Sequence, residues 1–178
     1  NLINYSKLAR EIIKNTTLKK TDFDAALIAC RRTKQHIKKT QSYQRPIRQL
    51  LKETSLKIQD KISVFTIRKP IPIKLLEMTK KAKTIEGQKA VTLITSQEDK
   101  KQIEKHLKKQ VLEAKHELIE IILTSPPTLK DTPGVTAYLY SLFGEQGINI
   151  QETYSTYTDT VMVIEKKDFD KAMKVLRF

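Results

Sequence analysis

The residues best suited to recognising a small molecule lie in two short clusters, Asp131-Thr132-Pro133-Gly134 and Asn149-Ile150. Gly134 directly precedes a segment with helical apolar spacing, so the backbone there can approach a ligand at a helix N-terminus. Free N–H groups at such a terminus suit a carboxylate. Asp131 can answer an α-amino group, and Asn149 supplies a donor and an acceptor at the start of a strand. Together these groups suit a zwitterion such as an amino acid. The plainer reading makes Pro133-Gly134 a tight turn, Asp131 a helix cap and Asn149 a turn residue. On the residues alone both readings stand.

Nothing elsewhere assembles a catalytic set. The chain holds no G-x-x-x-x-G-K-[ST], G-x-S-x-G or H-E-x-x-H sequence. His36, His106 and His116 sit in lysine-rich segments without metal-ligand spacing and read as solvated residues. Asp168 and Asp170 read as helix-start residues rather than an acid/base pair. Tyr138, Tyr140, Tyr154 and Tyr157 read as packing residues. Cys30, the one cysteine, lies in an apolar run and reads as a buried thiol. The expectation is a protein that is not an enzyme, with no metal and no cofactor.

The 178 residues are 39% hydrophobic and 30% charged, which excludes a disordered chain. No apolar run approaches the ~20 residues of a membrane-spanning helix. A cytoplasmic chain without a membrane partner is expected. The net charge of +14 is uneven: residues 1–60 carry +9, residues 61–116 carry +8 and residues 117–178 carry −3. A basic front half is compatible with nucleic acid. In a helix-turn-helix reading of residues 6–39, Arg31, Arg32, Lys34 and Gln35 would touch DNA and the chain would be a transcription regulator. Three features favour a helical docking or oligomerisation element instead. The connection at 14–21 is long, it lacks a turn glycine, and the basic residues come late in the second helix.

The elements follow from periodicity. Tyr5, Leu8, Ile12 and Ile13 predict a first helix, weakly capped by Ser6, and Phe23, Ala26, Leu27 and Cys30 a second. Thr40–Pro46 reads as a polar linker before a short helix at 47–54. Strand residues begin near Ile58 and run to Ile67. Pro70 and Pro72 then introduce a helix bearing Leu75, Leu76 and Met78. Ala90–Thr95 is a strand, Gln97–Lys109 a charged helix with Ile103 and Leu107 inward, and Val111–Thr124 a long strand-like run. A proline-rich loop leads to a helix over Val135–Glu145, closed by a left-handed Gly147. Strands at Ile148–Tyr157 and Thr160–Glu165 and a helix capped by Asp168 complete the chain. Residues 55–116 and 117–178 thus repeat one element order in structure, not in letters. The predicted fold class is α+β: a helical region at 1–54, then two ferredoxin-like βαββαβ modules, antiparallel sheets with helices on one face.

The segment from Leu129 to Leu176 resembles an ACT domain. The resemblance rests on Asp131-Thr132-Pro133-Gly134 between first strand and first helix, Gly147-Ile148-Asn149-Ile150 leading into the second strand, and Asp159-Thr160-Val161-Met162-Val163 into the third. It covers about 60 residues, and the whole chain is similar to predicted archaeal regulators of amino-acid metabolism. The resemblance implies an allosteric, amino-acid-sensing regulator whose ligand sits at Asp131, Thr132, Pro133, Gly134, Asn149 and Ile150. It also implies a homodimer or another homo-oligomer, and a ligand-free module serving only for pairing is the alternative. Arg68-Lys69-Pro70-Ile71-Pro72 replaces the D-x-P-G loop in the first module, whose site is therefore expected to be degenerate. An ACT domain needs a fourth strand. It falls to Val175–Phe178, to a strand elsewhere in the chain, or to a partner chain.

Overall fold

The computed structural model describes residues 4–70, 82–107 and 109–178, with side chains at 35–43 outside the description. The chain forms two compact units, residues 1–49 and 50–178. In the first, α1 spans Tyr5–Asn15. Its cap is Asn4 rather than Ser6: the extended backbone of Asn4 lets its Oδ1 accept from Lys7 N at 3.0 Å. Asp22 takes the Lys19 N–H at 2.8 Å and closes a 3-10 turn that opens α2, Phe23–Lys52. Ala9, Ala26 and Cys30 are buried.

The linker expected at Thr40–Pro46 is absent, because α2 runs through it for 30 residues with Pro46 inside. The segment has no glycine, and Gln and Arg are good helix formers. A proline forfeits one helical hydrogen bond, at ~3 kcal/mol, without ending the helix here. Among the described residues no helix is long and apolar enough to cross a membrane. The helix expected over Leu75, Leu76 and Met78 lies outside the described residues.

The second unit is built on one six-stranded antiparallel sheet in the order β2-β3-β1-β4-β6-β5. The strands are β1 Ser55–Arg68, β2 Lys83–Glu86, β3 Ala90–Ser96, β4 Val111–Thr124, β5 Ile150–Thr156 and β6 Asp159–Glu165. The helices are α3 Lys100–Leu107, α4 Val135–Glu145 and α5 Phe169–Val175. The two long strands, 14 residues each, pair with each other in two stretches. Both bulge at their seventh residue, Lys61 with φ 57° and Glu117 with φ 55°, so each bends midway. Ser55–Gln59 of β1 lies against Glu120–Thr124 of β4. The strand beside the C-terminal segment therefore comes from within the chain, and α5 ends at Val175 with no strand after it.

Period-2 alternation puts a core on each face. Phe65, Ile67 and Leu93 pack with Ile103 and Leu107 of α3. On the opposite face Ile62, Val64, Ile94, Leu118 and Val163 pack with Ile85 and Tyr154. Lys83 on edge strand β2 and Tyr154 on edge strand β5 both reach Glu120 on β4. The sheet is therefore curled, its two edges converging over the face that carries Glu120.

Helix α4 shows how local sequence positions the loop ahead of it. Val135, Leu139 and Phe143 recur at helical spacing and are buried. Its C-terminus closes as a Schellman turn: Ile148 N donates to Phe143 O and Gly147 N to Gly144 O, both at 3.0 Å, with Gly147 at φ 66°. Asp168 does not cap α5 through its side chain; it is buried and accepts from Lys171 Nζ at 3.4 Å.

Candidate ligand site

The loop between β4 and α4 is held by its own hydrogen bonds. Pro127–Asp131 forms a 3-10 turn, in which Leu129 N donates to Pro126 O at 2.9 Å and Thr132 Oγ1 to Thr128 O at 2.8 Å. Gly134 follows in the left-handed conformation, φ 86° and ψ 2°, and serves as N-cap of α4 without a side-chain cap. Its carbonyl accepts from Tyr138 N, the first bond of the helix. The N–H groups of Val135, Thr136 and Ala137 precede that bond and have no intrahelical partner.

A cavity of about 460 Å³ opens at this first turn. Lys130, Thr132, Gly134 and the start of α4 line one side. Ser155, Tyr157 and Thr160 line the other. The second group comes from the β5–β6 hairpin, where Ser155 pairs with Thr160. Thr160 is 2% exposed and forms part of the cavity wall. Tyr157 sits at the hairpin turn with φ 50° and is 66% exposed, and Lys130 Nζ lies 4.6 Å from its ring centroid. Ser125 N donates to Thr158 O at 2.9 Å, fixing the hairpin tip to the end of β4.

Of the six residues expected to bind a ligand, Thr132 and Gly134 line this cavity. Asp131 and Pro133 are exposed in the same loop and are not among its lining residues. Asn149 is exposed and Ile150 half-buried at the start of β5. Ile150 pairs with Ile164 and Ser155 with Thr160. At ~3.3 Å per residue, the Asn149-Ile150 pair is roughly 16 Å along the strand from Ser155, so the cavity does not bring the two clusters together. The residues that sequence reasoning passed over are Lys130, Ser155, Tyr157 and Thr160. Their signal was the hairpin Ser155–Thr160, whose register returns it to the loop. Tyr157 is not the packing residue it was expected to be, since two thirds of it is exposed.

In the first unit, Arg31, Arg32 and Lys34 are exposed on α2, with Lys34 Nζ 5.0 Å from the Tyr5 ring centroid. The Gln35 side chain lies outside the described residues.

Residues 113–177 match the ACT domain family. No curated protein matches the chain. Among solved structures, it is similar to an aspartate kinase from Clostridium acetobutylicum described as an allosteric enzyme (TM-score 0.57, 16% identity). That match covers 68% of this chain but only 33% of the kinase, so the chain spans a third of that enzyme's length. It is also similar to the regulatory subunit of aspartate kinase from Thermus thermophilus, at TM-score 0.55 and 13% identity over 68% of this chain and 92% of that one. A Vibrio cholerae protein of unknown function matches at TM-score 0.55 and 20% identity, over 71% and 90% of the two chains. At these identities the likeness is one of fold. The C-terminal segment thus matches the ACT domain family, and the chain shares the antiparallel α+β fold of aspartate kinase regulatory regions.

Proposed function

We propose that this protein is a non-enzymatic, amino-acid-sensing regulator whose ACT domain holds a small ligand, an amino acid, between the 127–137 loop and the β5–β6 hairpin. The observation that carries this reading is the cavity at the uncapped first turn of α4, with Gly134 at φ 86° as its rim. The left-handed glycine keeps side-chain bulk off the open N–H groups, and those groups suit a carboxylate. Two modules side by side are supported by β1 and β4, which pair antiparallel and bulge at equivalent positions. Within the described sheet, β2 and β5 are its outer strands, and edge pairing with a second copy is the route we propose to a homo-oligomer.

Calorimetric titration of the chain with each of the twenty amino acids tests the ligand reading. Saturable heat with at least one of them is expected. No heat at millimolar concentration from any would remove the sensor, leaving a ligand-free pairing module.

A further inference from the structure

The chemistry of the cavity wall is one-sided. Its lining contains one charged residue, Lys130, and no carboxylate. The other polar side chains are those of Thr132, Thr136, Ser155, Tyr157 and Thr160, all hydroxyls, beside the open N–H groups at the start of α4. Thr160 is 2% exposed and lines the cavity.

Two separate points in this wall attract negative charge. One is the helix start at Val135–Ala137, with its N–H groups and the positive end of the helix dipole. The other is the Lys130 ammonium, carried by the preceding 3-10 turn. Its partner in the structure is the face of Tyr157, at 4.6 Å. A cation–π contact at an exposed ring is weak, and a carboxylate is the stronger partner for an ammonium. Lys130 can therefore leave Tyr157 for an anionic group in the cavity. A ligand with a basic side chain would meet like charge there instead.

Resting on the sensor reading above, we infer that Lys130 makes this site selective for an acidic ligand: a small molecule carrying two carboxylates, one seated on the first turn of α4 and the other on Lys130. Among amino acids these are the dicarboxylic ones. Lys130 is the specificity-determining residue, because an amide in place of the second carboxylate keeps the shape and loses the charge.

The test is calorimetry on the full chain with aspartate, glutamate, their amides asparagine and glutamine, lysine, and the amine-free diacid succinate. It is repeated on Lys130→Met and Lys130→Arg. The expected result is an acidic amino acid binding at least about tenfold tighter than its amide, a charge-assisted contact being worth that much. The gap should close in Lys130→Met and persist in Lys130→Arg. An amide or lysine binding as tightly as the acid, or a gap unchanged in Lys130→Met, would overturn the inference while leaving the sensor intact. Succinate binding that depends on Lys130, with no amino acid bound, would uphold the two-carboxylate site and remove the amino-acid sensor. No binding by any probe removes both.

Discussion

Lys83 Nζ lies 2.5 Å from Glu120 Oε2, joining an edge strand of the curled sheet to its interior. Glu120 is 1% exposed, and its other oxygen accepts from the Tyr154 hydroxyl of the opposite edge strand at 3.4 Å. With its amide turned to donate, Gln59 reaches Glu120 Oε2 at 2.8 Å. Burial opposes the Lys83 charge, but the hydrogen bond and attraction from Glu120 outweigh it and hold the ammonium above its usual range. Burial and the Glu120 charge likewise push the Tyr154 phenol up, so it stays a neutral donor. One buried carboxylate thus gathers both edges of the sheet.

Removing the cation should expose the cost of that carboxylate. Lys83→Met keeps the stem and leaves Glu120 buried with neutral partners. Breaking a buried pair costs ~3–5 kcal/mol; Lys83 is itself 38% exposed, and solvent screening reduces the expected loss to about 1–2 kcal/mol. Urea unfolding at pH 7 measures this, and a stability equal to the parent's would show that Glu120 does not depend on Lys83.

His116 gives the chain a pH dependence. Its Nδ1 lies 3.1 Å from Ser63 Oγ and its ring meets Phe65 edge-on at 5.4 Å. Burial and the Lys100 charge lower its pKa, with Glu104 and Glu117 opposing. The unfolded chain therefore takes up this proton first, and stability should decline as pH falls below ~6.5. His116→Gln removes the titration, so its stability deficit at pH 7.5 should shrink toward pH 5. A pH-independent deficit in the same unfolding series would rule this out.

How far the sequence revealed the molecule depends on the range of the interactions. Helix α4 was legible to the residue, because Gly134 and Gly147 bracket one apolar stripe and both glycines adopt positive φ. The continuity of α2 was not, because Pro46 and a polar run signal a break that the helix does not make. The β1–β4 pairing was invisible to local pattern: Ser55 finds Thr124 sixty-nine residues away. The same distinction divides the site. Thr132 and Gly134 were legible as a turn motif before a helix. Lys130 was overlooked beside them, and Ser155, Tyr157 and Thr160 reach the loop only through the hairpin register.

The two glycines at the end of α4 should respond oppositely to one methyl group. A Cβ at Gly144 or at Gly147 would meet nothing within 4 Å, so packing does not separate them. Gly144 lies within the helix, and Gly144→Ala should stabilise by about 0.5–1 kcal/mol through propensity and reduced unfolded-state freedom. Gly147 has φ 66°, where an L side chain costs about 1–2 kcal/mol. Melting temperatures should rank Gly144→Ala above the parent and the parent above Gly147→Ala. Any other order would mean that the Schellman turn relaxes to a different backbone.

Gly134 separates binding from folding. Its φ of 86° strains a β-branched residue, by about 1–3 kcal/mol, and a valine side chain would stand at the rim of the cavity. Val135, Leu139 and Phe143, the buried face of α4, are untouched by the change. Gly134→Val should therefore keep the parent's circular dichroism while losing at least most of its affinity for whichever amino acid the parent binds. Asp131→Ala is the matched control. Asp131 is exposed and does not line the cavity, so its removal should leave affinity within about twofold, as for other surface changes. A Gly134→Val chain that folds and binds as tightly as the parent would make this loop a plain turn. A large loss in Asp131→Ala alone would move the ligand's amino group out of the cavity and onto the exposed side of the loop.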